Sequence, residues 1–292
     1  MAIHGRIPLR HVACAIVAAL LFASAASAQP AGLPDAKTAA PDAIAAALLD
    51  DRLDQKAREV LARDAAPRAV DVVTALVAGL PDDEDEEYRR IPWIWRVAVA
   101  AGRAKDEAAL RPLLDASMPR DGEPLRDWQS VVLGGGVVMG VSQAGAWPRD
   151  VMAPWLAADA TRAARWGRAL DLAVAMADNS KVRNGTRYDA LRMLAVLPWD
   201  RAGAQLARYL SADVDAELQL GAIGGLSDLQ DDRAGQALVR HFPEYAEANR
   251  RHAINALLRT ETRRALLRDA IRDGTVPDAW LTPEQRERLQ RG

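Results

Sequence analysis

The sequence predicts an all-α protein, an α-solenoid in which antiparallel helix pairs stack side by side. The main evidence is a helical unit that recurs three times near the C-terminal end. Its markers are Ala190-Leu191, Ala222-Ile223 and Ala253-Ile254, each with a leucine three positions after the second residue. The alanines are 32 and 31 residues apart, the period expected when one helix pair is the repeating unit and neighbouring pairs bury each other's apolar faces.

A second regularity links the two helices of each unit. A leucine follows the first two repeat alanines at an offset of 16 residues, and Leu267 follows Ala253 at an offset of 14, as if the turn at Thr260 were shorter. The offset of 16 pairs Ala190 with Leu206, Ala222 with Leu238 and, far upstream, Ala98 with Leu114. We therefore expect the solenoid to span residues 41–292, with its clearest repeats in 187–292.

The N-terminus has the pattern of a cleaved secretory signal peptide. Arg6 and Arg10 precede an apolar run over 12–23, and the small residues 26–28 end at Ala28. The apolar run is shorter than the roughly 20 residues that span a membrane, and no later segment qualifies. Residues 1–28 are thus predicted to be removed, 29–40 to form a flexible arm, and the protein to be periplasmic or secreted. The cleaved segment holds Cys14, the only cysteine, which excludes disulfides and thiol chemistry from the mature chain.

Apolar periodicity of three and four residues, together with proline at first-turn positions, predicts the helices in order. They are expected at 41–50, 53–64, 67–80, 92–102, 106–117, 149–158, 161–177, 187–197, 201–210, 215–229, 232–242, 245–258 and 261–273, with a short terminal helix capped by Thr282. Residues 128–147 carry no charged side chain but contain Gly134-Gly135-Gly136 and Gly140. Each glycine costs a helix about 1 kcal/mol unless neighbouring segments pack closely against it. We therefore expect a buried pair of helices in this segment, with small residues on the surfaces that pack together.

The stretch Arg187–Leu289 resembles the HEAT-like repeat region of PVC-type haem-binding membrane-bound dehydrogenases. The resemblance is carried by Ala190-Leu191 with Leu194, by Glu217-Leu218-Gln219 with Ala222 and Leu226, by Arg251 and Ala253 with Leu257-Leu258 and Thr260, and by Leu266-Leu267 with Ala270-Ile271, Gly274 and Val276. It implies a fold of HEAT-like helix pairs, an export compartment, and association with a separate dehydrogenase or cytochrome c. The family's propeller and its Cys-x-x-Cys-His haem motif have no counterpart in this chain, so its redox chemistry cannot be transferred to any residue here.

Other chemistry is weakly indicated. Gly140-Val141-Ser142-Gln143-Ala144 is one residue short of a nucleophile elbow, and His241 or His252 could complete a hydrolase in chain order, but an elbow requires a preceding strand. The two histidines have no cysteine partners for zinc, and the acidic run 82–87 lacks the glycine of a calcium loop. A balance of 38 basic and 40 acidic residues provides no basic stripe for nucleic acid.

Eight tryptophans against two phenylalanines allow two interpretations. The rings could fill gaps between alanine-rich helices, or they could line a binding surface. The tryptophans are Trp93, Trp95, Trp128, Trp147, Trp155, Trp166, Trp199 and Trp280.

The sequence thus favours a non-catalytic, exported scaffold that binds a protein partner, without catalytic residues, cofactor or metal. An accessory subunit of a periplasmic dehydrogenase or cytochrome c system is the alternative, and a serine hydrolase using Ser142 is a weaker one.

Overall fold

A computed structural model describes residues 32–119, 126 and 128–291 of the chain. The expected signal peptide 1–28 lies outside the described residues, as do the first residues of the arm. Throughout the described part all regular elements are helical, without any strand. The helices are α1 (Pro41–Leu49), α2 (Gln55–Asp64), α3 (Ala69–Val77), α4 (Glu84–Ala104), α5 (Glu107–Ala116), α6 (Trp128–Gln143), α7 (Pro148–Ala157), α8 (Ala160–Ala177), α9 (Asn184–Met193), α10 (Trp199–Arg208), α11 (Ala216–Asp228), α12 (Asp232–Arg240), α13 (Glu247–Leu257), α14 (Glu261–Arg272) and α15 (Pro283–Gln290).

Several helices begin at an aspartate whose carboxylate accepts a backbone N–H of the first turn, which satisfies a donor that has no partner within the helix. These capping residues are Asp54, Asp83, Asp106, Asp159, Asp215 and Asp231. The predicted start of α15 is confirmed, since Thr282 and Gln285 form a reciprocal capping box.

The helix α4 is longer than predicted. It begins at Glu84 rather than near Pro92, so the acidic run forms its first turn and Pro92 lies in its interior. Negative charge at a helix N-terminus is favourable, and Glu86 is also bound by Arg89 and Arg90 of the next turn. The acidic run is therefore part of a helix terminus.

Residues 128–143 form one continuous helix, so the expected helix pair is wrong. Its first six residues make a π-helical turn and the rest is α-helical. The glycines are needed for close packing: a Cβ on Gly140 would lie 2.7 Å from the backbone nitrogen of Arg103 in α4, and one on Gly136 would lie 2.8 Å from Cβ of Ala98. Tertiary contact with α4 thus offsets their poor helix propensity.

Two rows of helices organise the described chain from α4 onward. A front row consists of α4, α6, α9, α11 and α13, each packed on the next. A back row consists of α8, α10, α12 and α14, in which α10 packs on α12 and α12 on α14. Arg201 of α10 and Asp171 of α8 form an ion pair of 2.6 Å that links the first two helices of the back row.

The residues that define the sequence repeat lie between the two rows. The alanines Ala190, Ala222 and Ala253 are fully buried, and so are the leucines Leu206, Leu238 and Leu267 of the back row. Ala98 and Leu114 are buried in the same way. The apolar pattern thus identified the core side of each helix correctly.

The described end of the arm lies against the helices. Ala36 is buried, and the Arg68 guanidinium donates hydrogen bonds to the carbonyls of Ala36 and Ala39, the latter at 2.7 Å. None of the helices described here is long and apolar enough to cross a membrane.

Candidate functional site

The front face is the surface of the front row that points away from the back row. In a helix, the residue two positions after a core alanine points almost directly away from the core. Arg192 and Gly224 occupy this position in α9 and α11. The residue immediately before the alanine points toward the preceding helix, and Asp189 and His252 occupy that position in α9 and α13.

A buried ionic cluster ties four segments together at this face. The Asp228 carboxylate at the end of α11 is fully buried and accepts a hydrogen bond from Arg192 Nη2 at 2.6 Å. It also pairs with Arg259, which follows α13, and accepts from Ser142 Oγ of α6 at 2.5 Å. We call Asp228, Arg192, Arg259 and Ser142 the Asp228 cluster.

Arg192 is the least satisfied member of the Asp228 cluster. Its side chain is 6% exposed, and its Nε is buried without a hydrogen-bond partner. Its Nη1 lies over Gly224, where any Cβ would overlap it, and makes no hydrogen bond within the described residues. Glycine at position 224 therefore permits the guanidinium to cross α11, with Nη2 on Asp228, Nε buried without a partner, and Nη1 in partial contact with solvent.

Three arginines lie around Asp228, and Asp231 and Asp232 lie near one of them, Arg263. Two guanidinium groups share the single carboxylate of Asp228, and the third, Arg263, packs nearby with hydrogen bonds to the carbonyls of Ser227 and Leu229. Burial, together with the neighbouring Arg259, lowers the pKa of Arg263 to about 10, which still leaves it charged at neutral pH.

A second buried carboxyl lies toward α4. Asp189 is 4% exposed and accepts one hydrogen bond, from Trp95 Nε1 at 3.0 Å. Its Cβ side packs against Gly135 of α6. Burial raises the pKa of Asp189 well above its ordinary value, which favours the neutral form and reduces its ability to balance Arg192.

Accessible polar groups surround Arg192. Tyr188 lies one turn away on α9, and its hydroxyl contacts only the Met139 sulfur, at 3.6 Å. His252 is accessible to solvent, yet neighbouring protein desolvates the imidazole and, together with the charge of Arg192, lowers the pKa of His252. Glu217 is an exposed carboxylate on α11 whose pKa is raised by partial desolvation and by Asp215.

The residues proposed for a hydrolase do not form a triad. Ser142 lies inside a helix, and its hydroxyl bonds to Asp228 and to Arg259 at 3.2 Å. His241 pairs with Glu244 at 2.8 Å. With no strand before the serine and no histidine bonded to it in the described residues, Ser142 lacks the base that activates a nucleophile.

The remaining candidate features are structural. Four tryptophans are buried and four are half-buried, which confirms gap filling for Trp93, Trp128, Trp155 and Trp166. Several rings are covered by arginine, as where Arg259 lies 4.0 Å from the centre of the Trp147 ring. The described residues contain no group of three or more His, Asp or Glu side chains arranged to hold a metal ion.

Arg192, Asp228 and Arg259 did not emerge from the sequence as candidates. The repeat register offered only a partial signal, since Arg192 and Asp228 replace a small or apolar residue of a neighbouring unit, whereas Arg259 occupies the Asp228 position of the third unit. Arg192 stands where the next unit has Gly224, and Asp228 stands where the preceding unit has Val196. The chain matches no family model, no curated protein and no solved structure.

Proposed function

We propose that this protein is a non-catalytic, exported α-solenoid of HEAT-like helix pairs that binds another protein through the front face, which we take as the concave side of the solenoid. The observation that carries the proposal is the row itself. Its five helices pack in series with one side against the core, and the other side carries half-buried or exposed residues such as Met139, Tyr188 and His252. Stacked repeats typically use such a surface for binding.

The composition of the front face supports recognition of a protein. Half-buried Trp95, Met139 and Tyr188 lie beside the charged Arg192 and Glu217. Aromatic residues, methionine and arginine are enriched at protein interfaces, where they act as anchors next to polar groups. The signal-peptide pattern supports action outside the cytoplasm.

The partner can be identified by site-specific photo-crosslinking in the native host. A benzophenone amino acid replaces Tyr188 on the front face or, as a control, the exposed Gln236 of α12 in the back row. We expect one protein to be crosslinked from position 188 and not from position 236. No adduct from position 188, or the same adducts from both positions, would contradict binding through the front face.

The identity of the crosslinked protein decides between the two forms of the proposal. A dehydrogenase or cytochrome c would identify an accessory subunit of a periplasmic redox system, as the family resemblance implies. Any other partner that binds again when purified would identify an independent scaffold.

A further inference from the structure

We infer that Arg192, together with His252, forms an anion site on the front face that takes a carboxylate side chain of the partner protein. This inference rests on the proposed function and specifies the chemistry of its binding surface.

The first argument is the incomplete pairing of a buried cation. Arg192 is almost completely buried, and only one of its three nitrogens donates a hydrogen bond within the described residues. An unmet hydrogen bond of a charged buried group is costly. A carboxylate that approaches Nη1 from the solvent side would accept a hydrogen bond from it, and guanidinium–carboxylate hydrogen bonds are among the strongest in proteins.

The second argument is space. Arg192 Nη1 lies where a Cβ of residue 224 would stand, so glycine lets the guanidinium pack across α11, and Nη1, unlike the buried Nε, keeps some contact with solvent. His252 of α13 is exposed and lies close enough to Arg192 for that charge to lower the pKa of His252.

The third argument is the balance of charge. Arg192 and Arg259 share one carboxylate, Asp228, whereas Arg263 also lies near Asp231 and Asp232. The neighbouring Asp189 is buried against α6 and bonded to Trp95. Glu217 is accessible, but it belongs to the first turn of α11, about two turns from Gly224. An incoming carboxylate therefore meets a guanidinium that shares its one paired carboxylate with a second arginine.

The test uses the full-length chain and two capped peptides, one of alternating glutamate and serine and one of alternating glutamine and serine. Titration calorimetry at low ionic strength should detect binding of the glutamate peptide only. Replacing Arg192 could unfold the protein, so the variant is His252→Glu, which adds a negative charge at an accessible position beside Arg192. We expect it to weaken binding about tenfold, the effect of one like charge at close range.

The matched control is Gln236→Glu, which makes the same change of net charge on the back row and should leave binding unchanged. Equal binding of both peptides, or equal loss in both variants, would overturn the inference. Binding of inorganic phosphate as tight as that of the glutamate peptide, and equally sensitive to His252→Glu, would overturn its assignment to a protein carboxylate.

Failure of this inference is distinguishable from failure of the scaffold proposal. A partner that is crosslinked through position 188 equally well in the His252→Glu background would reject the carboxylate site and retain the scaffold. A glutamate peptide that binds as expected, without any crosslinked partner, would retain the site and reject the scaffold.

Discussion

Replacing Asp228 by alanine should strongly destabilise the protein. The side chain is fully buried and binds two arginines and one serine, and the arginine side chains are only 6% and 14% exposed. Removing the carboxylate leaves both cations buried without a counter-ion. Breaking a buried ion pair in this way typically costs about 3–5 kcal/mol, and the second arginine places this site toward the upper value.

The measurement is urea unfolding followed by tryptophan fluorescence and far-UV circular dichroism. The control is Asp171→Ala, which removes an equally short ion pair with Arg201 from the surface, where the two side chains are 65% and 49% exposed. That change should cost less than about 1 kcal/mol. If Asp228→Ala cost no more than Asp171→Ala, the claim that the Asp228 cluster holds the front row together would be refuted.

Three further predictions concern the packing, the titration and the ends of the described fold. Gly140→Ala should lower the free energy of unfolding by about 1–3 kcal/mol or more, because the new methyl group meets the backbone of α4. Gly167→Ala on α8 meets nothing within 4 Å and should raise the free energy of unfolding by about 0.5–1 kcal/mol. Urea denaturation of both variants measures these changes, and equal effects would contradict the reasoning. Asp189→Asn should become more stable than the parent as the pH rises above 3.8, the pKa of the unfolded aspartate. The folded parent keeps Asp189 protonated because burial raises its pKa, so the parent loses stability as the pH rises, whereas asparagine does not titrate. Urea midpoints at pH 4 and pH 7 measure the difference between the two proteins, which must be larger at pH 7. Thr282→Ala should cost about 1 kcal/mol and speed hydrogen exchange in α15 alone, since the capping box is lost; unchanged exchange there would argue against it.

The apolar pattern was sufficient to predict the helices because their core contacts recur at regular spacing. The buried alanines and leucines of the repeat are local consequences of a 3.6-residue period, and Thr282 marked the terminal helix by itself. Prediction failed at residues 128–143, where glycine content argued for an interruption. Those glycines allow close backbone contact with α4, which stabilises the helix, but the contacting residues of α4 are far away in the sequence.

The candidate site was less predictable than the fold. Ser142 stood out for its glycine neighbours, but its partners Asp228 and Arg259 are 86 and 117 residues further along the chain. No local pattern connects such residues, since they meet only when α6, α11 and α13 take their places in the front row.

The sequence by itself determined the all-helical class and the core side of the helices that carry the alanine–leucine pattern, because these follow from short-range periodicity that each segment carries alone. Only the tertiary structure decided that three arginines gather around one buried aspartate and that the Arg192 guanidinium lies across Gly224 with its Nε unpartnered. The physical reason is that hydrogen-bond satisfaction and charge balance depend on which helices become neighbours, and the sequence of a single helix does not contain that information.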